Sequence, residues 1–191
     1  MKHKRMIAII VVAALIALGL FLDKFDRSGS QNQEKILGAD GYKVKPLKDI
    51  QPIEIFIKPE WIPFKSGERL KLELKLIELE NTTISLQEVW NRGKFANDIY
   101  FSFHTTYHLD QDRGTFISNY SYNNDGTISR NHNIDDYILY DSNHNEIIIG
   151  ETGAGPDSDF SFGVESDQFK DIRDGFYIKY TGMHLYEYSK K

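Results

Sequence analysis

Two hydrophobic patterns divide the chain. Residues 6–22, MIAIIVVAALIALGLFL, form an apolar run with no charge in it, whereas beyond Ile50 apolar and polar positions alternate. As a helix rising about 1.5 Å per residue, the run spans roughly 25 Å, near the lower end of what crosses a bilayer. Alternation at period two marks strands with one buried face. Ile53, Ile55 and Ile57 alternate with Glu54 and Phe56 until Pro59. Leu70, Leu72, Leu74 and Leu76 alternate with Lys71, Glu73 and Lys75. A strand stacks those leucines on one side, where a helix scatters them around its circumference. Ile99, Phe101, Phe103, Thr105, Tyr107 and Leu109 share one face, opposite Ser102, His104, Thr106 and His108. Further strands are predicted at 115–122, 137–140, 146–149, 160–164, 176–180 and 183–188. The turns between them are rich in Asn, Asp and Gly, as at 123–126, 141–145 and 173–175, and Gly150–Pro156 reads as a long loop. A single helical turn is expected around 166–172.

About nine or ten short strands with such turns predict an all-β fold, an antiparallel β-sandwich. The organisation follows as a basic start (1–5), a transmembrane anchor (6–22), a flexible spacer (23–47) and a β domain (48–191). The spacer contains Ser28-Gly29-Ser30-Gln31-Asn32-Gln33, a tract of small polar residues. Lys2, Lys4 and Arg5 precede the apolar run, so the positive-inside rule places the β domain outside the cytoplasm. The run is slightly longer than the ~7–15 apolar residues of a cleavable signal. Ala17 and Gly19, a small-residue pair, lie inside it instead of after it. An uncleaved anchor is therefore the leading expectation, with secretion after cleavage as the alternative.

Composition narrows the chemistry. A formal net charge of −5 argues against nucleic acid, whose binding requires a clustered basic surface. The absence of cysteine removes disulfides, thiolate catalysis and cysteine zinc sites. His104 and His108 share a strand face but stand about 13 Å apart at strand rise, too far for one ion. Asp141, Asn143 and Asn145 occupy the first, third and fifth places of a calcium-loop pattern. Glu146 then replaces the glycine, and Thr152 the closing glutamate, so they are weak metal candidates. Gly150–Pro156 lacks the lysine of a phosphate-cradling loop, and no motif calls for a cofactor. Acidic residues crowd the last third, among them Asp135, Asp136, Glu151, Asp159 and Glu165. A glycoside hydrolase would need two such carboxylates about 5–10 Å apart in a cleft. The aromatic residues, 13 % of the chain, serve packing first and sugar or protein contact second. Tyr186 with Tyr188, and the histidines 104 and 108, are the candidate contact surface.

The segment 137–147, YILYDSNHNEI, is similar to a strand–turn–strand of immunoglobulin-like domains, with His144 where that turn carries glycine. Together with the closing strands over 172–188, the layout resembles membrane-anchored immunoglobulin-like extracytoplasmic domains of Gram-positive bacteria. The resemblance implies binding and carries over no catalytic residue. The expected function is therefore a non-enzymatic interaction or sensing module at the cell envelope, tethered by its helix. Its partner would be an envelope protein. The alternatives are a module that binds cell-wall glycan and an envelope hydrolase with paired carboxylates.

Overall fold

The computed structural model describes residues 41–109, 111–123, 127–130, 133–155 and 158–191. The basic start, the apolar run 6–22 and the spacer up to residue 40 lie outside the described residues. Among those described, no helix is long and apolar enough to cross a membrane.

The body is all-β. In chain order the strands are β1 (Tyr42–Ile50), β2 (Ile53–Ile57), β3 (Arg69–Leu79), β4 (Thr82–Asn91) and β5 (Asp98–Tyr107). Next come β6 (Arg113–Ser118), β7 (Tyr120–Tyr122), β8 (Ile128–Arg130), β9 (Tyr137–Asp141) and β10 (Glu146–Ile147). The last four are β11 (Glu151–Gly155), β12 (Ser158–Glu165), β13 (Phe176–Tyr180) and β14 (His184–Lys190). They form a five-stranded sheet in the order β11-β12-β5-β4-β3 and a four-stranded sheet β10-β9-β13-β2. A three-stranded sheet β1-β14-β6 and a β7-β8 ribbon complete the described body. Every ladder is antiparallel. The expected helical turn is a 3₁₀ turn at Ser166–Gln168.

The two larger sheets pack face to face through aromatic rings. Within the five-stranded sheet, Phe101 stacks on Phe162 at 5.2 Å and Phe103 on Phe160 at 4.8 Å. Across the interface Phe101 meets Phe176 edge-on at 5.1 Å, and Phe160 stacks on Tyr180 at 4.6 Å. Ile53, Ile55 and Ile57 seal this core from β2, as their alternation predicted. Offset and edge-on ring pairs add about 0.5–1.5 kcal/mol each to plain burial. A second cluster of Tyr107, Phe116, Tyr120, Tyr122, Tyr186 and Tyr188 fills the region bounded by the three-stranded sheet and the ribbon. Burial there pushes the Tyr107 and Tyr122 hydroxyls well above their usual pKa.

Several segments depart from the expected boundaries, among them the strand expected over 115–122, which breaks at Asn119 into β6 and β7 of different sheets. Residues 42–47, placed in the spacer, belong to β1, which pairs with β14 from Tyr42 opposite Lys190 onward. The segment expected as a glycine-rich loop forms the edge strand β11. Gly153 is required there, because a Cβ would lie 2.2 Å from the Tyr100 hydroxyl. That hydroxyl is hydrogen-bonded to Ser161 at 2.5 Å, and Ser161 donates to the Gly153 carbonyl at 2.6 Å. Finally, β4 shows no alternation in sequence because its register shifts between Leu86 and Glu88. Leu86 and Val89, three residues apart, consequently face the same core.

Candidate functional site

The outer face of the four-stranded sheet carries an aromatic row. Strand alternation turns Phe56 of β2, Tyr177 of β13 and Tyr140 of β9 away from the core. The registers set Phe56 opposite Tyr177, and Tyr177 opposite Tyr140, so the three rings line up across adjacent strands. Strands lie about 4.8 Å apart, and the Phe56 and Tyr177 ring centroids are 4.7 Å apart. His144 also stacks on Tyr177 at 5.4 Å, with its ring inclined by 22°. It does so from a left-handed backbone, φ 64°, in the turn joining β9 and β10. The neighbouring row runs Glu54, Lys179, Ile138, and just past β10 Ile148 is 73 % exposed. The face thus presents a row of three rings that meets Glu146 on β10 and is flanked by Glu54 and Lys179.

A cleft of about 240 Å³ opens where three loops meet at the Asp98 end of β5. Phe64 and Phe169 stand on it with their rings 6.2 Å apart and nearly perpendicular. Asn91 ties the loops together: its amide donates to the Pro63 carbonyl at 3.1 Å and accepts from the Gly93 N–H at 3.1 Å. Asn97 donates to the Ser166 hydroxyl at 2.6 Å. The Arg92 side chain holds the base of the middle loop. It forms a two-pronged pair with Asp98, reaches Glu151 on β11 and lies 4.2 Å over the Tyr100 ring. These bonds raise the Arg92 guanidinium well above its usual pKa, the Asp98 hydrogen bonds foremost.

The residues singled out from sequence are scattered over the body. His104 Nδ1 lies 3.2 Å from Asp159 Oδ2, while His108 Nε2 is hydrogen-bonded to the Thr83 hydroxyl at 2.8 Å. The two histidines serve different neighbouring strands, and Asp159 is itself engaged. It accepts from the Thr105 N–H at 2.6 Å and from the Tyr120 hydroxyl at 3.0 Å. Asp141 spends its carboxylate on its own turn. Oδ1 accepts from the N–H groups of Asn143 and Asn145 at 2.8 and 2.7 Å, and Oδ2 from the Asn145 amide at 2.8 Å. The Asn145 amide foremost, then its backbone N–H, hold that carboxyl below the usual range. Asp141, Asn143 and Asn145 therefore close a hairpin, and the described residues hold no metal-ready cluster of His, Asp and Glu. Among the described residues no carboxylate lines the cleft.

Tyr186 and Tyr188 are not a contact surface. Both are buried, because β14 is the middle strand of its sheet and turns these rings into the second core. Tyr186 meets Tyr122 edge-on at 5.0 Å, and Tyr188 meets Tyr42 at 5.1 Å. The outward-facing ring row, with Phe56 exposed and Tyr140 and Tyr177 half-buried, lies instead on β2, β9 and β13. Phe64, Phe95 and Phe169 were not singled out in sequence. Their only signal is a phenylalanine beside a lysine, at 64–65, 94–95 and 169–170. In comparisons with known proteins, no family model, no curated protein and no solved structure matches this chain.

Proposed function

We propose that the chain is a membrane-tethered binding module that works outside the cytoplasm and grips a protein of the cell envelope. The grip is the outer face of the four-stranded sheet. The observation that carries this reading is the ring row Phe56–Tyr177–Tyr140, extended by His144 and flanked by Ile148. Aromatic side chains exposed together are expensive to leave in water and are the side chains that dominate protein contacts. Lys179 and Glu54, paired opposite each other in the next row, supply a charged rim. The basic flank Lys2, Lys4 and Arg5 before the apolar run supports the tether and the outward orientation. Two sheets packed face to face support an immunoglobulin-like framework, to which the β1-β14-β6 sheet is an addition.

The test is capture of envelope proteins by the full chain, compared with Phe56→Ser and Tyr177→Ser. Each ring is expected to contribute about 2 kcal/mol to a contact it anchors, so retention should fall about 30-fold. Tryptophan fluorescence reports whether the fold survives, because both positions lie outside the core. Equal retention by wild type and both variants would remove the sheet face from the function.

A further inference from the structure

We infer that the loop-end cleft is a second binding site, and that it takes one sugar unit of an anionic glycan. The inference does not rest on the sheet face, which lies on other strands. Its first support is the arrangement of side chains. Three loops each present a phenylalanine next to a lysine: Phe64-Lys65, Lys94-Phe95 and Phe169-Lys170. Phe64 and Phe169 line the cleft, and Phe95, 88 % exposed, projects from the tip of the middle loop. Flat rings cover the C–H faces of sugars, as they cover any apolar surface. Ser66 and the Asn97 amide bring hydroxyl- and amide-type hydrogen bonding to the same cleft.

The second support is charge. The three lysines are exposed and enter no ion pair among the described residues. In a chain of net charge −5, such a group of cations at one end matches a polyanion. The outer loops also carry Glu60, Glu68, Asp167, Asp171 and Asp174, but none of these lines the cleft, whereas Lys94 does. Size limits the occupant: about 240 Å³ is below the ~300–1,000 Å³ of clefts that engulf drug-sized ligands. One ring therefore enters while its neighbours run over the lysines.

The third support is position. The Tyr42 hydroxyl donates to the Leu109 carbonyl at 2.6 Å, so the described chain begins beyond the Tyr107 end of β5. The cleft sits at the Asp98 end, and the ten residues of β5 separate the two by about 30 Å. On the proposed tether, which this support rests on, the cleft lies at the end of the body opposite the one where the described chain enters.

The experiment uses the full chain in neutral detergent with three probes. These are a hexuronic-acid oligosaccharide, the same oligosaccharide reduced to its neutral sugars, and glycerol phosphate as a water-soluble lipid headgroup. The acidic oligosaccharide should bind about tenfold more tightly than the neutral one, and weaken as salt rises. Lys94→Gln and Phe169→Ala should each reduce binding about tenfold, while Lys45→Gln, an exposed lysine of β1 away from the cleft, leaves it unchanged. Lys94 is exposed, so its variant keeps the fold and the test stands if Phe169→Ala unfolds. Equal affinity for the two oligosaccharides, or binding of glycerol phosphate with no binding of either oligosaccharide, overturns the inference. Capture of an envelope protein in that case leaves the sheet-face reading intact.

Discussion

Replacing Arg92 with methionine should destabilise the protein by about 3 kcal/mol, far more than an ordinary surface ion pair is worth. Only 17 % of the Arg92 side chain and 4 % of the Asp98 side chain meet solvent. Methionine keeps most of the packing over Tyr100 but leaves the Asp98 carboxylate buried without its cation. Breaking a buried pair in this way costs about 3–5 kcal/mol, and the partial exposure of Arg92 sets the expected value at the lower end. Glu151 adds little, because its side chain is 53 % exposed and exposed pairs contribute about 0–1 kcal/mol. With a urea slope of about 2 kcal/mol/M, the unfolding midpoint should fall by about 1.5 M. Tryptophan fluorescence is a suitable reporter, since Trp90 pairs with Tyr100 on the same sheet face. The double variant Arg92→Met with Asp98→Asn should recover more than about 1 kcal/mol of the summed single losses, because no buried charge is then left alone. A midpoint shift below about 0.5 M for Arg92→Met, or strict additivity in the double variant, refutes the reasoning. The same loop carries Gly93, Lys94 and Asn97 of the cleft, so Arg92→Met should also weaken binding there.

Two further outcomes follow from the same geometry. Gly163→Ala should destabilise by about 1–3 kcal/mol in the same denaturation assay, because the new Cβ would lie 2.3 Å from the Asp98 oxygen that Arg92 holds; an unchanged midpoint would show that the pair yields freely. Asp141 has a depressed carboxyl pKa, so its contribution is present above the unfolded value of about 3.9 and is lost as pH falls through the folded one. Asp141→Asn should therefore lower stability at neutral pH and flatten the acid limb followed by circular dichroism, whereas superimposable acid limbs would contradict the assigned hydrogen bonds.

His144 shows how a local signal is read correctly in place and incompletely in meaning. Its segment was legible as a hairpin, and the structure places the residue in the left-handed conformation that a glycine adopts most cheaply. A non-glycine residue at that position keeps a side chain, and here the imidazole stacks on Tyr177 and lengthens the ring row. The candidate site was less legible than the turn. Phe56 was visible as an outward residue of its strand, yet its alignment with Tyr177 and Tyr140 depends on β13 inserting between β2 and β9. The cleft joins residues 64, 94 and 169, which only loop convergence brings together.

Alternation is a property of the pleat itself, so the strands of Ile53–Ile57, Asp98–Tyr107 and Phe176–Tyr180, and the all-β class, follow from the chain alone. Where a bulge interrupts the pleat, as in β4, or glycines erase side chains, as in β11, that local rule falls silent. Which face of a strand meets water is not local at all. Tyr186 and Tyr140 both alternate with polar or aliphatic neighbours, but one is roofed by the second core and the other is not. That difference was decided by which distant strands paired and packed, because burial is a relation between surfaces far apart in sequence.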